Sequence, residues 1–176
     1  MRTRYFAIIL SVIVLFSLNL HGCSREKWEE YSFDEGDFSI MFPGKPEVTT
    51  ETQVPGLDVE LKNTLYSVNI GHKSTYSVII GDLSGPGTKT LEWDHEVMAE
   101  IGKQGITNQG GEIVSEKIIT MAGQECWEFE VTADTTDSTI RMFRVGLRIY
   151  TLEVAREKGA DFSEKTGKFF GSFALK

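Results

Sequence analysis

The fold is predicted most clearly from one segment, Gln124-Glu125-Cys126-Trp127-Glu128-Phe129-Glu130-Val131. Its large apolar side chains, Trp127, Phe129 and Val131, fall on every second residue and alternate with glutamates and with Cys126. Successive side chains of a β-strand point to opposite faces of a sheet, so a period of two is typical of a strand. The pattern therefore predicts a strand with one apolar core face, and it places Cys126 among the glutamates on the outer face.

A second strand with matching alternation follows this one. We predict a register in which Glu130 faces Arg141 on the outer side, because opposite charges stabilise a cross-strand pair. Residues 134–137 would form the loop between the two strands. On the core side the same register pairs Val131 with Ile140 and Phe129 with Met142.

Earlier in the chain, three more pairs of alternating segments are joined by turn-forming residues. They are residues 31–33 with 38–42, a pair around Pro55-Gly56, and residues 66–70 with 76–80. For the middle pair we predict that Val54 lies opposite Leu57. That register gives two further pairs, Thr52 with Val59 and Thr50 with Leu61.

The apolar period changes to that of a helix at two places. The first predicted helix covers residues 90–104, with Thr90 as its N-cap and with Gly102 and Gly105 ending it. A second, short helix near the C-terminus is predicted to begin at a capping box made by Asp161 and Glu164. Phenylalanines at helical spacing would form its core side: Phe162, Phe169, Phe170 and Phe173.

Consecutive hairpins with only two helices predict an α+β fold, in which the two helices pack on an antiparallel sheet. The expected order is about five strands, a helix, three or four strands and a helix. We assign residues 29–176 to a single domain, which is long enough to bury a core of its own.

The charge balance excludes one class of partner. The chain has 18 Lys and Arg against 26 Asp and Glu, a net charge of −8. The first 23 residues carry Arg2 and Arg4 and no acid, so the rest of the chain has a net charge of −10. Affinity for nucleic acid comes mainly from Lys and Arg, so we expect no nucleic-acid partner.

The N-terminus has the layout of an export signal. Arg2 and Arg4 precede an apolar run over residues 6–20, which is short for the roughly 20 residues of a membrane span. The run ends in Leu20-His21-Gly22-Cys23, which resembles the lipobox of bacterial lipoproteins, although His21 departs from the usual small or apolar residue. The resemblance implies a signal peptide over residues 1–22, cleavage between Gly22 and Cys23, and a lipid on Cys23. The alternatives are an ordinary secretory signal with an incidental Cys23, or a membrane anchor that stays attached.

Residues 23–28 would then form the lipidated cysteine and a short tether. Only residues 24–27 separate Cys23 from Trp28, and four to five extended residues reach at most about 18 Å. The domain should therefore sit close to the bilayer. Its negative charge should keep its acidic faces turned away from anionic headgroups, towards a basic protein surface or cations.

Four short signatures resemble the PsbP-like family. They are Gly36-Asp37-Phe38-Ser39-Ile40-Met41-Phe42-Pro43-Gly44-Lys45-Pro46, Ala122-Gly123-Gln124-Glu125, Arg148-Ile149-Tyr150-Thr151-Leu152 and Phe169-Phe170-Gly171-Ser172-Phe173-Ala174-Leu175. The resemblance implies an α/β/α sandwich around an antiparallel sheet. It also implies an accessory binding or assembly role, and it carries no catalytic motif to this chain.

Motifs for catalysis and metal binding are incomplete. His95-Glu96 begins like a zinc-protease helix, but Ala99 stands where the second histidine is needed. Ser84 is one position late for a nucleophile elbow, and acidic neighbours do not activate the thiol of Cys126. Asp134 and Asp137 lack the spacing of a calcium loop, so an acidic turn is the favoured interpretation. We predict no catalytic residue, metal or cofactor.

These patterns favour a non-enzymatic lipoprotein in the bacterial cell envelope. It would be anchored to the membrane by its lipid on the exported side and would act as a binding, accessory or assembly module, with an envelope protein as a candidate partner. The alternative is an enzyme or ligand-dependent protein whose site is assembled from distant residues. A deep pocket with convergent polar groups and a perturbed carboxylate would favour that alternative, whereas an exposed apolar patch would favour the first.

Overall fold

The computed structural model describes residues 26–53, 61–85 and 95–176. Within these ranges the order is five strands, a helix, four strands, a helix and a last short strand. The bounds are β1 Glu29–Phe33, β2 Phe38–Phe42, β3 Glu47–Gln53, β4 Leu61–Ile70, β5 Ser74–Asp82, α1 His95–Asn108, β6 Glu112–Met121, β7 Gln124–Thr132, β8 Thr136–Val145, β9 Arg148–Glu157, α2 Ser163–Gly171 and β10 Ala174–Leu175.

The strands form two antiparallel sheets. The large sheet has the order β3-β4-β5-β9-β8-β7-β6, and the small one has the order β1-β2-β10. Each hairpin joins neighbouring strands, and the pairing of β5 with β9 connects the earlier hairpins to the later ones. The predicted α+β class, a mainly antiparallel sheet with two helices, is confirmed.

The two faces of the large sheet are covered by different elements. On the face that carries Tyr76 and Leu152, which we call the α2 face, the small sheet and α2 enclose the main apolar cluster. On the opposite face, the α1 face, Met98 and Ile106 of α1 pack against Phe129 and neighbouring apolar residues. The predicted core side is confirmed for Phe169 and Phe170 of α2 and for Phe173 just beyond it, which are buried. Phe162, also predicted on this side, is only partly buried and lies outside the main apolar cluster.

The predicted register of β7 and β8 is wrong by two residues. The structure pairs Phe129 with Ile140 and Glu128 with Arg141, whereas Glu130 lies opposite Thr139. A shift of two keeps every side chain on its face, so Glu130 and Arg141 share the α2 face without being directly opposite. The loop is three residues, 133–135, because Asp137 already belongs to β8.

The register predicted for β3 and β4 is also wrong. Thr50 lies opposite Thr64 rather than Leu61, and Thr52 lies opposite Lys62. This is a shift of three, which exchanges the faces of one strand relative to the other. The predicted contact of Val54 with Leu57 falls outside the described residues.

The bounds of the first predicted helix differ from those observed. Helix α1 continues through Gly102 and Gly105 to Asn108. A Cβ at position 102 would lie 2.8 Å from Met142 Cε, so this glycine lets the helix approach the sheet closely. Apolar packing outweighs the low helix propensity of glycine here. Thr90, the predicted N-cap, is not among the described residues.

The capping box predicted at α2 does not form. The N-cap is Phe162, which makes no side-chain capping hydrogen bond. Asp161 instead accepts hydrogen bonds from the backbone and side chain of Ser163, at 3.0 and 2.8 Å. The two residues therefore form a local turn before the helix, which is the usual alternative for an Asp in this position.

Gly36 offers a test of packing between the two sheets. An alanine Cβ at this position would lie 2.6 Å from the ring of Phe38, which is fully buried and cannot swing away. We expect Gly36→Ala to lower the free energy of unfolding by about 1–3 kcal/mol, the usual cost of overpacking. Urea titration measures this change. In the control, Gly44→Ala, the nearest atom is 3.6 Å away and the effect should be small.

Candidate functional site

Three chain segments meet at the end of the large sheet where β5 finishes and β9 begins. Strand pairing sets Asp82 of β5 directly opposite Arg148 of β9. The turn between β8 and β9 closes over them, because Leu83 N–H donates a hydrogen bond to the carbonyl of Leu147 at 2.8 Å. We call this end of the molecule the distal end, and define it by Asp37, Asp82, Leu147 and Arg148.

The turn between β1 and β2 completes the distal end. Arg148 forms an ion pair with Asp37, whose backbone has a left-handed φ of 50°. Such a φ is uncommon outside glycine, but Asp adopts it more readily than most residues do. Tyr150, two residues after Arg148, donates a buried hydrogen bond of 3.0 Å to the carbonyl of Gly36. These contacts fix the turn of the small sheet against the large sheet.

A shallow, open depression of about 390 Å³ lies at the distal end. It is lined by Asp82, Ser84, Val145, Leu147 and Arg148. The Asp82 carboxylate accepts a hydrogen bond from Ser84 N–H at 2.8 Å. Hydrogen bonding with the side chain of Ser84, and less strongly with its backbone, lowers the pKa of Asp82. Leu147 is 44% exposed. An open surface of this kind suits contact with another molecular surface, since small-molecule sites usually enclose most of their ligand.

Cys126 lies on the predicted face of its strand but in a different environment. The alternation with glutamates suggested exposure, whereas the residue is fully buried in the main apolar cluster. Burial raises the pKa of its thiol to about 12. The thiolate form needed for nucleophilic chemistry is therefore almost absent at neutral pH.

A charged cluster crosses the α2 face beside the core. Glu128 is 5% exposed and binds Lys117 at 2.7 Å and Arg141 at 2.6 Å. Burial alone would raise the pKa of Glu128, but hydrogen bonds and charges from both cations outweigh this effect and lower it. Arg141 also lies over the ring of Phe170, 4.2 Å from its centroid. Because each charged group has a partner, we assign the cluster a structural role.

Glu153, on the α1 face, is a carboxylate whose pKa is shifted from its ordinary value. It lies opposite Ser77 and Ile140 on the neighbouring strands and is partly buried. Burial raises its pKa, and a hydrogen bond with Ser138 opposes the shift without cancelling it. The distal depression is on the other face, so Glu153 is not part of it.

Replacing Glu153 with glutamine should stabilise the protein at neutral pH. The raised pKa means that the folded state favours the protonated carboxyl, so stability falls as the pH rises above the unfolded pKa. The amide has no charge to bury, and we expect a melting temperature at pH 7 about 2–4 °C higher, as for about 1 kcal/mol in a domain of this size.

The gain of Glu153→Gln should fade below about pH 4, where the wild-type carboxyl is protonated in both states. Exposed Glu157 on the same strand provides the control, and Glu157→Gln should change little. A lower melting temperature for Glu153→Gln at pH 7 would show that the charged form is the stabilising one.

The remaining sequence candidates are dispersed. Within the described ranges, no three His, Cys, Asp or Glu side chains are placed to hold a metal ion. Asp137 accepts hydrogen bonds from Gly159 N–H and from the Thr132 hydroxyl, which lower the pKa of its carboxyl. Ser84 lines the depression, and His95 is the first residue of α1.

Sequence patterns missed Asp37 and Arg148, because their contact joins segments 111 positions apart.

The predicted lipidation and cleavage residues, Cys23 and Gly22, lie before the first described residue, Glu26. The described chain is in contact with the domain from its start. Glu26 binds Lys165 of α2 at 2.6 Å, and the Trp28 ring meets Tyr76 edge-on with centroids 5.4 Å apart. No helix in the described part of the chain has the length and apolar character to cross a bilayer.

Comparison with known proteins supports the fold. No family model matches the sequence, and no curated protein matches it. Among solved structures, the chain is similar to the solution structure of the cyanobacterial PsbP protein, CyanoP, from Synechocystis sp. PCC 6803. The match has a TM-score of 0.56 and 17% sequence identity, and it covers 92% of this chain and 99% of CyanoP. The chain therefore has a PsbP-like fold, as its sequence signatures predicted.

Proposed function

We propose that this chain is an exported bacterial lipoprotein, held at the membrane by a lipid on Cys23, and that its domain is a non-enzymatic binding, accessory or assembly module. The lipobox-like segment at residues 20–23 supports the anchor. In this proposal residues 1–22 are removed as a signal peptide, and the domain works in the cell envelope.

The proposal rests mainly on the short distance in sequence between Cys23 and the folded domain. Only Ser24 and Arg25 stand between this cysteine and Glu26, which already binds Lys165. A lipid on Cys23 would hold the domain directly at the bilayer surface, and two or three acyl chains on one residue anchor far more firmly than a single chain.

Two features support an accessory role for the domain. The chain has a PsbP-like fold with helices on both faces of the large sheet, as in an α/β/α sandwich, and the resemblance to the PsbP-like family implies an accessory binding or assembly role. The domain also exposes apolar side chains suited to contact with a protein, including Leu147 at the distal end and Ile118, 49% exposed, on the outermost strand β6.

One observation favours the alternative of an enzyme. The raised pKa of Glu153 is the kind of perturbation found in catalytic carboxylates. Its immediate partner, Ser138, supplies a hydrogen bond but no charge. A carboxylate kept for catalysis commonly lowers the stability of the protein, so a stabilising effect of Glu153→Gln in the melting curves would be compatible with this alternative.

Photo-crosslinking in intact cells tests the binding role. A photoreactive amino acid would replace Leu147, Ile118 or Val48, three exposed positions on different parts of the surface. We expect a discrete crosslinked protein from one of these positions, and its loss when the same position is used in the Cys23→Ala background. The absence of any crosslinked protein from all three positions would contradict a protein-binding module.

A further inference from the structure

Four side chains surround the place where the described chain begins. Trp28, Phe162, Lys165 and Lys168 form what we call the anchor-side patch. Lys168 lies over the Trp28 ring at 5.0 Å, and Lys165 lies over the Phe162 ring at 5.1 Å. Both rings are partly exposed, so the patch presents aromatic edges together with two ammonium groups.

The patch is at the opposite end of the sheet from the distal depression. Trp28 packs on Tyr76 near the start of β5, whereas Asp82 at the end of β5 lines the depression. The six residue steps from Tyr76 to Asp82 span about 20 Å along the strand. Strand β1 leads from the patch to the Asp37 turn, so the two ends are separated by most of the length of the domain.

The tether leaves little freedom of orientation. Glu26 is held by Lys165, and Trp28 is held between Tyr76 and Lys168. From Cys23 to Glu26 there are three peptide steps, which reach at most about 11 Å. A lipid on Cys23 would thus bring the anchor-side patch within reach of the headgroups.

The chemistry of the patch fits phospholipid headgroups. Ammonium groups donate hydrogen bonds to phosphate oxygens, and aromatic rings with one apolar side and one wet side favour the membrane interface. Four carboxylates lie nearby: Glu26 is paired with Lys165, Glu29 is paired with Lys27, Asp161 accepts hydrogen bonds from Ser163, and Glu164 is in the first turn of α2. Lys168 lies over the Trp28 ring and is exposed, so its ammonium group is accessible from outside the domain.

We propose that the anchor-side patch rests on the phospholipid headgroups and directs the distal end away from the membrane. This inference rests on the proposed lipid anchor. The patch orients the domain and does not recruit it, since two lysines are opposed by the net charge of −10 beyond residue 23. Once the lipid holds the domain at the surface, orientation requires only that one end be favoured over the other.

Site-specific quenching tests the orientation. The full-length lipoprotein, extracted from its membrane, would be placed in nanodiscs of phosphatidylcholine and phosphatidylglycerol that contain a lipid with a nitroxide on its headgroup. A fluorophore would be attached at Gly167→Cys, beside Lys168, or at Leu147→Cys. Position 167 has open space around it, and Cys126 is buried, so the introduced thiol is the reactive one when Cys23 is acylated.

We expect strong quenching at position 167 and little at position 147. In the double variant Lys165→Glu/Lys168→Glu, the oriented population should fall by about tenfold or more, given the contribution of each lysine near an anionic leaflet. Lys168→Glu alone keeps the Glu26 ion pair and should give an intermediate result. The control, Lys62→Glu/Arg144→Glu, makes the same change of charge at exposed positions away from the patch and should leave quenching unchanged.

Equal quenching at positions 167 and 147 in lipidated protein would overturn the proposed orientation. The intact mass of the same preparation separates this result from failure of the proposed function, because protein without a lipid would refute the anchor itself.

Discussion

Replacing Cys23 with alanine should abolish the incorporation of radiolabelled palmitate and release the protein from the membrane. Several acyl chains on one residue hold a protein far more firmly than the marginal binding of a single chain, at about 0.8 kcal/mol for each buried CH₂ group. The net charge of −10 beyond residue 23 opposes binding of the domain to anionic membranes, so the domain would not replace that affinity. We therefore expect the label to disappear and the protein to move from the membrane to the soluble fraction.

The chain supplies its own control for the Cys23 experiment. Cys126 is the other cysteine, and it is fully buried. A Cys126→Ala variant should keep both the palmitate label and its membrane location. Equal labelling of the wild type and Cys23→Ala would refute lipidation at Cys23.

The largest effect on stability is expected for Arg141→Ala. This change leaves Glu128, 5% exposed, with Lys117 as its single charged partner. It also uncovers the ring of Phe170. Breaking a buried ion pair from one side is strongly destabilising, and we expect a loss of about 3 kcal/mol in the free energy of unfolding, measured by urea titration at pH 7.

The pH dependence identifies the cause of the Arg141→Ala effect. Because the folded pKa of Glu128 is lowered, its contribution to stability is present at neutral pH and is lost as the pH falls through that pKa. The difference between wild type and Arg141→Ala should therefore shrink towards about pH 4 and below. Lys117→Ala is the matched control: Lys117 is 60% exposed, and its loss should cost much less. A difference for Arg141→Ala that does not change with pH would assign the effect to packing on Phe170.

Much of the fold could be predicted because local rules and tertiary packing agree. The alternation of Tyr66, Val68 and Ile70 with a turn at residues 71–74 predicted the hairpin of β4 and β5, and the structure forms it with Ser74 already paired in β5. The turn after Phe33 gave the hairpin of β1 and β2 in the same way. In these hairpins a short turn leaves little choice of register.

The two wrong registers belong to hairpins in which neither the loop length nor the apolar pattern determines how the strands pair. The β7–β8 hairpin has a three-residue loop, and moving the pairing by two keeps Phe129 and Ile140 on one face, so the apolar pattern cannot distinguish the two registers. In β3 the side chains are mostly polar on both faces, so alternation gave little information about its pairing with β4.

The distal end could not be predicted because its contacts join distant segments. Asp37, Asp82 and Arg148 come from three different hairpins, and each is an ordinary surface residue in its local sequence. The burial of Cys126 was missed for a related reason. Its strand has apolar contacts on both faces, since Phe143 and the end of α2 cover the face that the glutamates suggested was open.

Lipidation of Cys23 can be read from the intact mass of the protein extracted from its native membrane. We predict a chain that begins at Cys23, lacks residues 1–22 and carries the added mass of a diacylglyceryl group on its sulfur. Fragment ions should locate that mass on the first residue. A chain that retains residues 1–22, or one that begins at another position without a lipid, would refute cleavage and lipidation at Cys23.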